Sequence, residues 1–145
     1  MAAYKKILAT IDLGRDGEAV CQRAAELAER YSAKLLLLHV VEYVPMDLGS
    51  DLMLPQPMEI EESLVARAKD YLADRVKALD GLDVVSDVEV GATKSEIIRY
   101  ADENQVDLIV IGRHGRHGIF RLLGSTANAV LHSAHCDVLA VNIED

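Results

Sequence analysis

The stretch DLIVIGRHGRHGIFRLLGST fills residues 107–126 and changes character twice along its length. Asp107 to Ile111 is almost wholly apolar, which is the pattern of a parallel strand buried on both faces. The polar segment that follows contains Gly112 and Gly115, which favour a loop. A helix then begins near Gly124. A buried strand, a glycine-bearing loop and a helix in this order predict one strand–helix unit of a parallel sheet.

The same alternation of short apolar segments and helical patterns extends along the whole chain. Buried strands show apolar or β-branched runs, whereas helices show apolar residues three or four positions apart. The pattern predicts strands at Lys5–Asp12, Lys34–Val41, Val84–Val90, Asp107–Ile111 and Asp137–Ile143, and helices at Asp16–Tyr31, Glu59–Leu79, Lys94–Asn104 and Gly124–Ser133. We therefore expect one α/β domain over residues 1–145, with a five-stranded parallel, doubly wound sheet that helices cover on both faces.

The segment between the second strand and the second helix has a different composition. Residues 42–58 contain Pro45, Pro55, Pro57 and Gly49. Proline and glycine support neither a helix nor a central strand, so the segment is predicted to be a mobile connection. Its apolar residues fit two interpretations equally well, a surface for a protein partner or a flap folded over the sheet edge or a ligand.

Composition and charge exclude several classes of function. The chain has 24 acidic and 15 basic residues and a formal net charge of -9. This charge repels polyanions, so we expect neither nucleic acid nor a membrane surface as a partner. The N-terminal segment lacks a signal-peptide pattern and no apolar run is long enough to span a bilayer, which predicts a cytoplasmic protein. Cys21 and Cys136 fit two reduced thiols better than a disulfide framework.

The predicted topology indicates where a ligand would bind. Doubly wound sheets bind ligands beyond the carboxyl ends of their strands, at the point where the strand order reverses. In this chain the rule points to Asp12, to His39 and Val40, and to the loop after Ile111. An acid at a strand end is a weak signal by itself, and the composition of the loop strengthens it.

The loop after Ile111 has the composition of an anion-binding site. Glycine lets backbone N–H groups approach an anion closely, and the start of a helix adds unpaired N–H groups with partial positive charge. Ser125 and Thr126 add hydroxyl donors. Positive charge is concentrated here in an otherwise acidic chain, at Arg113, His114, Arg116, His117 and Arg121. The loop is therefore predicted to attract a phosphate.

The motifs narrow the type of nucleotide site. Neither GxxxxGK[ST] nor a GxGxxG after the first strand is present. Residues 112–141, GRHGRHGIFRLLGSTANAVLHSAHCDVLAV, instead resemble the C-terminal signature of universal stress proteins. YKKILATID at 4–12 resembles the first strand of that family, LLLLHVV at 35–41 its second, and VDLIVIGRHG at 106–115 its fourth with the loop entry. The resemblance implies the Rossmann-like, adenine nucleotide alpha hydrolase-like fold with strand order 3-2-1-4-5.

The resemblance also implies a ligand and the residues that hold it. The ligand would be ATP, with ADP and AMP as alternatives, and Mg²⁺ or Mn²⁺ would be carried on the phosphate oxygens. Asp12 would face the ribose, and the main chain of Val40 would meet adenine. The backbone neighbours of the nucleotide would be Ala9, Thr10 and Ile11. The phosphate-side residues would be Gly112, Arg113, His114, Gly115, Arg116, Gly124, Ser125 and Thr126.

The glycine spacing departs at one point from GxxGx9G[ST], the pattern of nucleotide-binding members of the family. Eight residues, Arg116 to Leu123, separate Gly115 from Gly124, where the pattern has nine. The shorter spacing resembles the branch of the family that binds no nucleotide, although that branch usually lacks the glycines retained here. Two functions follow: ATP-type binding that orders the loop for a protein partner, and a dimeric stress or interaction protein without nucleotide.

Other functions have less support in the sequence. Catalysis beyond slow ATP hydrolysis is not expected, because no acid or amide is evidently placed to orient an attacking water. A phospho-accepting receiver domain would need an acid cluster and a lysine that this chain does not offer. His132, His135 and Cys136 are too small a set to indicate a metal site. The last strand is apolar for an edge strand, and the resemblance implies a homodimer paired through it.

Overall fold

The computed structural model describes residues 3–42, 57–114 and 125–143 of the chain. Strands and helices alternate through these ranges without exception. The elements are β1 (Lys6–Thr10), α1 (Arg15–Tyr31), β2 (Lys34–Val41), α2 (Pro57–Ala78), β3 (Val84–Val90), α3 (Thr93–Glu103), β4 (Leu108–His114), α4 (Ser125–Ser133) and β5 (Asp137–Ile143).

The strands form one parallel sheet in the order β3-β2-β1-β4-β5. The central strand is β1, where Ile7, Leu8 and Ala9 are completely excluded from solvent. From β1 the chain winds outward through β2 to β3, and it then returns to the other side of β1 for β4 and β5. The strand order therefore reverses between β1 and β4, which confirms the predicted fold class and order.

Helices cover both faces of the sheet. Successive strand residues alternate between the two faces, so Ile7 and Ala9 pack in the core that contains α1 and α2, whereas Leu8 packs in the core that contains α3 and α4. Each fully buried leucine or isoleucine contributes about 1.5–3 kcal/mol relative to exposure. The near-continuous apolar runs of the central strands follow from this double coverage.

Strand β4 is longer than the sequence predicts. Residues 112–114 were predicted to lie in a loop, whereas they continue β4 and pair with residues 141–143 of β5. A Cβ atom on Gly112 would lie 2.6 Å from Cδ1 of Ile143 and 3.2 Å from Cγ2 of Val20. The missing side chain of Gly112 thus makes room for β5 and α1, and main-chain pairing extends the strand despite its polar composition.

Smaller differences concern the ends of other elements. β1 ends at Thr10 rather than Asp12, and the turn into α1 contains Gly14, whose φ of 120° suits glycine. α2 begins at Pro57, earlier than predicted. α3 runs from Thr93 to Glu103, one residue earlier at each end than predicted. In the predicted connection at 42–58, residues 43–56 lie outside the described residues.

Side chains at the amino ends of the strands fix β1 against β4. The carboxylate Oδ2 of Asp107 accepts hydrogen bonds from the backbone N–H groups of Lys5, at 2.7 Å, and Lys6, at 2.9 Å. The ammonium group of Lys6 donates to the carbonyl of Asn104 at 3.0 Å. The two central strands are therefore held together at one end, and they separate at the other.

The two cysteines are free thiols, as predicted. Cys21 is a buried residue of α1, and Cys136 is half-buried. Desolvation by burial raises the pKa of both thiols above the ordinary value, so both favour the protonated form. No helix within the described ranges is long and apolar enough to cross a bilayer.

Candidate functional site

A cleft of about 420 Å³ opens at the carboxyl ends of the strands, where β1 and β4 separate. Because every strand is parallel, the helices that follow β1, β3 and β4 all begin at this edge of the sheet. The first residues of α1, α3 and α4 therefore reach the cleft together with the strand ends. This is the position predicted from the reversal of strand order.

The main chain of Val40 supplies a hydrogen-bonding pair to this cleft. In a parallel sheet the backbone N–H and C=O of one residue point to the same neighbouring strand, and consecutive residues point to opposite sides. Leu38 accepts from the N–H of Ile11 on the β1 side at 2.8 Å, and Val41 accepts from Gly91 on the β3 side at 2.9 Å. Val40 therefore points to the β1 side, beyond the end of β1, and no residue in the described ranges pairs with its N–H or C=O.

His39 contacts the chain where it leaves β1. Its ring nitrogen Nδ1 lies 2.7 Å from the carbonyl oxygen of Ile11. A carbonyl oxygen only accepts hydrogen bonds, so Nδ1 carries the proton and donates it. The half-buried ring thus links the end of β2 to the turn that carries Asp12 into the cleft.

Thr93 and Glu42 form a second polar wall. The hydroxyl Oγ1 of Thr93, at the first position of α3, donates to the carboxylate Oε1 of Glu42 at 2.7 Å. A carboxylate only accepts, and the hydroxyl proton of Thr93 is already committed to it. Both side chains line the cleft, and both therefore offer acceptors to a ligand.

Helix α4 brings donors to the opposite wall. Ser125 and Thr126, its first two residues, line the cleft, and Ala127 packs beneath them with 1% exposure. The backbone N–H groups of a first helical turn lack partners within the helix and carry partial positive charge. Unpaired N–H groups of this kind suit an anionic group.

Charge in the cleft is otherwise negative. Asp12, Asp16 and Glu42 line it, and among the residues that the structure describes no lysine or arginine does. An anionic ligand would therefore depend on the α4 N–H groups, on a bound cation, or on residues outside the described ranges. Further apolar residues of the lining are Val20, Leu38, Ile97, Ile111 and Ala127.

The structure brings together seven of the thirteen predicted site residues, namely Thr10, Ile11, Asp12, Val40, Gly112, Ser125 and Thr126. Ala9 lies in the core of β1 with no exposed surface. The guanidinium group of Arg113 donates to Asn142 on β5 at 3.3 Å, and Arg113 does not line the cleft. His114 is the last residue of β4. Gly115, Arg116 and Gly124 lie outside the described residues.

Sequence reasoning missed Asp16, Glu42, Thr93 and Ile97 as residues of the cleft. The predicted parallel topology indicated the position of Asp16, Thr93 and Ile97, because α1 and α3 must begin at the carboxyl edge of the sheet and these residues lie in their first two turns. Glu42 could have been inferred from its position directly after β2. Its hydrogen bond with Thr93 depends on three-dimensional proximity, which neither local pattern reveals.

Two histidines lie near the end of α4, His132 within the helix and His135 just beyond it. Nδ1 of His135 lies 3.1 Å from both carboxylate oxygens of Asp102. Across the described ranges, no group of three or more histidine, cysteine, aspartate or glutamate side chains is placed to hold a metal ion. A metal carried by phosphate oxygens would not need such a group.

Comparisons with known proteins agree with this architecture. Residues 3–142 match the model of the Universal stress protein family. Two proteins of Coxiella burnetii (strain RSA 493 / Nine Mile phase I) are each 39% identical to the chain. Universal stress protein A homolog 1 aligns over 95% of the chain and 96% of its own length. Homolog 2 aligns over 99% of both.

Solved structures share the fold over almost the full length. Universal stress protein UspA from Lactobacillus plantarum superposes with a TM-score of 0.79 at 27% identity, covering 97% of this chain and 99% of that one. A universal stress protein in complex with cAMP superposes with a TM-score of 0.64 at 26% identity, covering 97% and 98% of the two chains.

Proposed function

The chain belongs to the universal stress protein family, and on that premise we propose that its cleft binds an adenine nucleotide as a regulatory signal. ATP is the first candidate, with ADP and AMP as alternatives. A family member of the same fold has been crystallised with cAMP, which supports an adenine ligand of this kind. The protein would act in the cytoplasm as a stress-response regulator that a protein partner reads.

One observation carries the proposal: at the point where the strand order reverses, Val40 turns a main-chain N–H and C=O into the cleft that no residue of the described ranges pairs. Adenine presents a ring-nitrogen acceptor beside an exocyclic amino donor on one edge. A backbone N–H and C=O that point the same way complement such an edge. Thr93 and Glu42 add acceptors nearby, which favours an amino group over a carbonyl oxygen on the base.

The remaining walls suit the other parts of a nucleotide. Apolar side chains of Leu38, Ile97 and Ala127 would cover the faces of the base. Asp12 would accept hydrogen bonds from ribose hydroxyls. The phosphates would lie at the start of α4, against Ser125 and Thr126.

The acidic residues of the cleft make a cation part of the proposal. Asp12, Asp16 and Glu42 would repel a triphosphate. Mg²⁺ or Mn²⁺ on the phosphate oxygens would reduce that repulsion, so ATP should bind more tightly with the cation than without it. Turnover is expected to be slow, because the nucleotide serves here as a signal and not as a substrate.

Isothermal titration calorimetry of the purified chain tests the proposal, with ATP, ADP, AMP and cAMP as ligands and GTP as the comparison. We expect a single site for adenine nucleotides and at least about tenfold weaker binding of GTP, because its carbonyl oxygen would face acceptors. Phosphate release from ATP should remain close to the background rate. Equal binding of GTP, or heat signals absent for every adenine nucleotide, would contradict the proposal.

Two serines of α4 provide a matched pair of variants for the same titration. Ser125 begins the helix at the cleft, and Ser133 ends it on the far side. Ser125→Ala should weaken ATP by about tenfold, the value of one hydrogen bond to a charged group. Ser133→Ala should leave the affinity unchanged. Equal losses in the two variants would show that the phosphates do not lie at the start of α4.

A homodimer paired through β5 is part of the proposal and would also support the alternative function, a dimeric interaction protein without nucleotide. β5 is an edge of the sheet, and Val138, Leu139 and Ala140 are only half-buried in the single chain. An edge strand with apolar residues exposes main-chain groups that a second copy can pair.

A further inference from the structure

We propose that His39 is a positioning residue, whose ring occupies the carbonyl oxygen of Ile11 and so keeps the main-chain N–H of Val40 available to the base. This inference rests on the proposed adenine site. His39 is not assigned a contact with the nucleotide. Its role is to end the pairing of β1 with β2 at the right residue.

The register of β1 and β2 shows which hydrogen bond the ring of His39 replaces. At the start of the pair, the N–H of Lys34 donates to the carbonyl of Lys5 at 2.9 Å. Val40 and Ile11 are separated by the same number of residues as Lys34 and Lys5, so they occupy the equivalent positions at the other end. Between these points the strands pair without a break, from Lys6 with Lys34 to Thr10 with Leu38. Continuation of the ladder would therefore bring the N–H of Val40 to the carbonyl of Ile11.

The hydrogen bonds of Ile11 show that the pairing of β1 with β2 stops one bond short of Val40. The N–H of Ile11 still donates to the carbonyl of Leu38 at 2.8 Å. The carbonyl of the same residue, Ile11, instead accepts from Nδ1 of His39 at 2.7 Å. The ladder thus stops within one residue, at the point where an imidazole provides the donor in place of a peptide group.

Because Ile11 is buried, the loss of the His39 donor would affect the N–H of Val40. Ile11 is only 2% exposed, so its carbonyl needs a protein donor and would otherwise take the nearest one in the ladder. A side chain at position 39 without a donor would leave the N–H of Val40 as that partner. The donor of the Val40 pair would then be consumed within the sheet, and the cleft would lose half of its base-recognising pair.

Amide hydrogen exchange of the full chain without nucleotide tests the inference directly, by NMR at single residues. In the wild type, the amide of Val40 should exchange rapidly, while that of Leu38, inside the paired register, is protected. In His39→Leu, whose side chain has similar bulk but no hydrogen-bond donor, Val40 should become at least about tenfold more protected. His39→Asn places an amide N–H near the position of Nδ1 and should restore rapid exchange at Val40.

The affinity for ATP with Mg²⁺ is the second measurement. His39→Leu should weaken binding by about tenfold or more, and His39→Asn should lie within about threefold of the wild type. Protection of Val40 in the free wild type, or no gain of protection in His39→Leu, would overturn the inference, and the wild-type measurement needs no variant to fold. If the exchange pattern appears as expected and ATP binds to none of the proteins, the positioning role stands and the proposed adenine site fails.

Discussion

Gly112 lies at a crowded point between three elements. It belongs to β4, and an added Cβ would approach Cδ1 of Ile143 on β5 and Cγ2 of Val20 on α1 more closely than van der Waals contact allows. The nearest of these atoms ends a flexible side chain, so a methyl group would be accommodated by displacement of Ile143. The residue also lines the cleft, which couples core packing to the site.

Gly112→Ala should lower the free energy of unfolding by about 1–3 kcal/mol, the usual cost of overpacking a core. Urea denaturation followed by circular dichroism measures it. The double variant Gly112→Ala with Ile143→Val removes the methyl group that the new Cβ would meet and should recover part of the loss. Strict additivity of the two single changes would show that the contact with Ile143 does not limit this position.

At single residues, the sequence predicted the site where chemistry and topology agreed. Asp12, Ser125 and Thr126 follow a strand or begin a helix at the edge where ligands bind, so their placement in the cleft could be inferred. Arg113 was predicted from the positive charge of the segment and from the family resemblance, and neither specifies the direction of its side chain. Alternation along β4 turns it toward Asn142 once residues 112–114 are strand and not loop.

Side-chain contacts attach helix α3 to the edge strand β3, among them an ion pair between Arg99 and Glu89 at 3.4 Å and a hydrogen bond of Tyr100. The hydroxyl of Tyr100 donates to Oδ2 of Asp87 at 2.5 Å. Burial, followed by this hydrogen bond and the charge of Asp87, raises the pKa of Tyr100 above its ordinary value of 10.0. The folded chain therefore holds the phenol proton more strongly than the unfolded chain does.

The sign of this shift predicts how stability depends on pH. Below pH 10 the phenol is neutral in both states, and the wild type should exceed Tyr100→Phe by about 0.5–1.5 kcal/mol. Above pH 10 the unfolded chain loses the proton while the folded chain retains it, so the unfolded state gains stability. The advantage of the wild type over Tyr100→Phe should therefore shrink between pH 10 and the raised pKa.

Urea denaturation of the two proteins at pH 8 and at several values above pH 10 measures this difference. Other tyrosines and lysines titrate in the same range in both proteins and cancel in the comparison. A constant gap between wild type and Tyr100→Phe across the range would show that Tyr100 is not shifted by its surroundings.

Elements were predictable to the extent that their side-chain patterns decide them. β2, β3 and β5 have the predicted bounds because apolar or alternating runs end at charged or glycine residues. β4 was predicted too short because its last three residues, Gly112 to His114, pair through main-chain groups that leave no pattern in the sequence. The same limit applies to β1, which ends at Thr10, next to the point where the ring of His39 contacts the carbonyl of Ile11.

At the scale of the whole molecule, the open edge at β5 predicts an oligomer. Sedimentation equilibrium of the wild type should give twice the 15.9 kDa of one chain. Ala140→Lys on β5 should shift the equilibrium to the monomer, because lysine on an edge strand discourages pairing. Val85→Lys on the opposite edge strand β3, where the valine is 38% exposed, is the matched control and should remain dimeric. If only the β3 variant were monomeric, the dimer interface would lie at β3 and not at β5.

The complete fold was more predictable than the site within it. Alternating strands and helices leave few topologies, since parallel strands require crossovers and apolar runs require cover on both faces. The cleft depends instead on where pairing stops between β1 and β2 and on the contact between Glu42 and Thr93. These are interactions between residues far apart in the chain, and no local period encodes them.

The hydrogen-bonding groups that Val40 turns toward the cleft belong to the peptide backbone, and this affects how the site responds to changes in its gene. Most codon changes at position 40 would alter the shape of one wall and leave the donor and acceptor in place. Proline is the exception, because it has no N–H to offer. Base recognition at the proposed site would therefore tolerate most substitutions of Val40 itself and would be more sensitive to changes in the neighbours that determine where the strand ends.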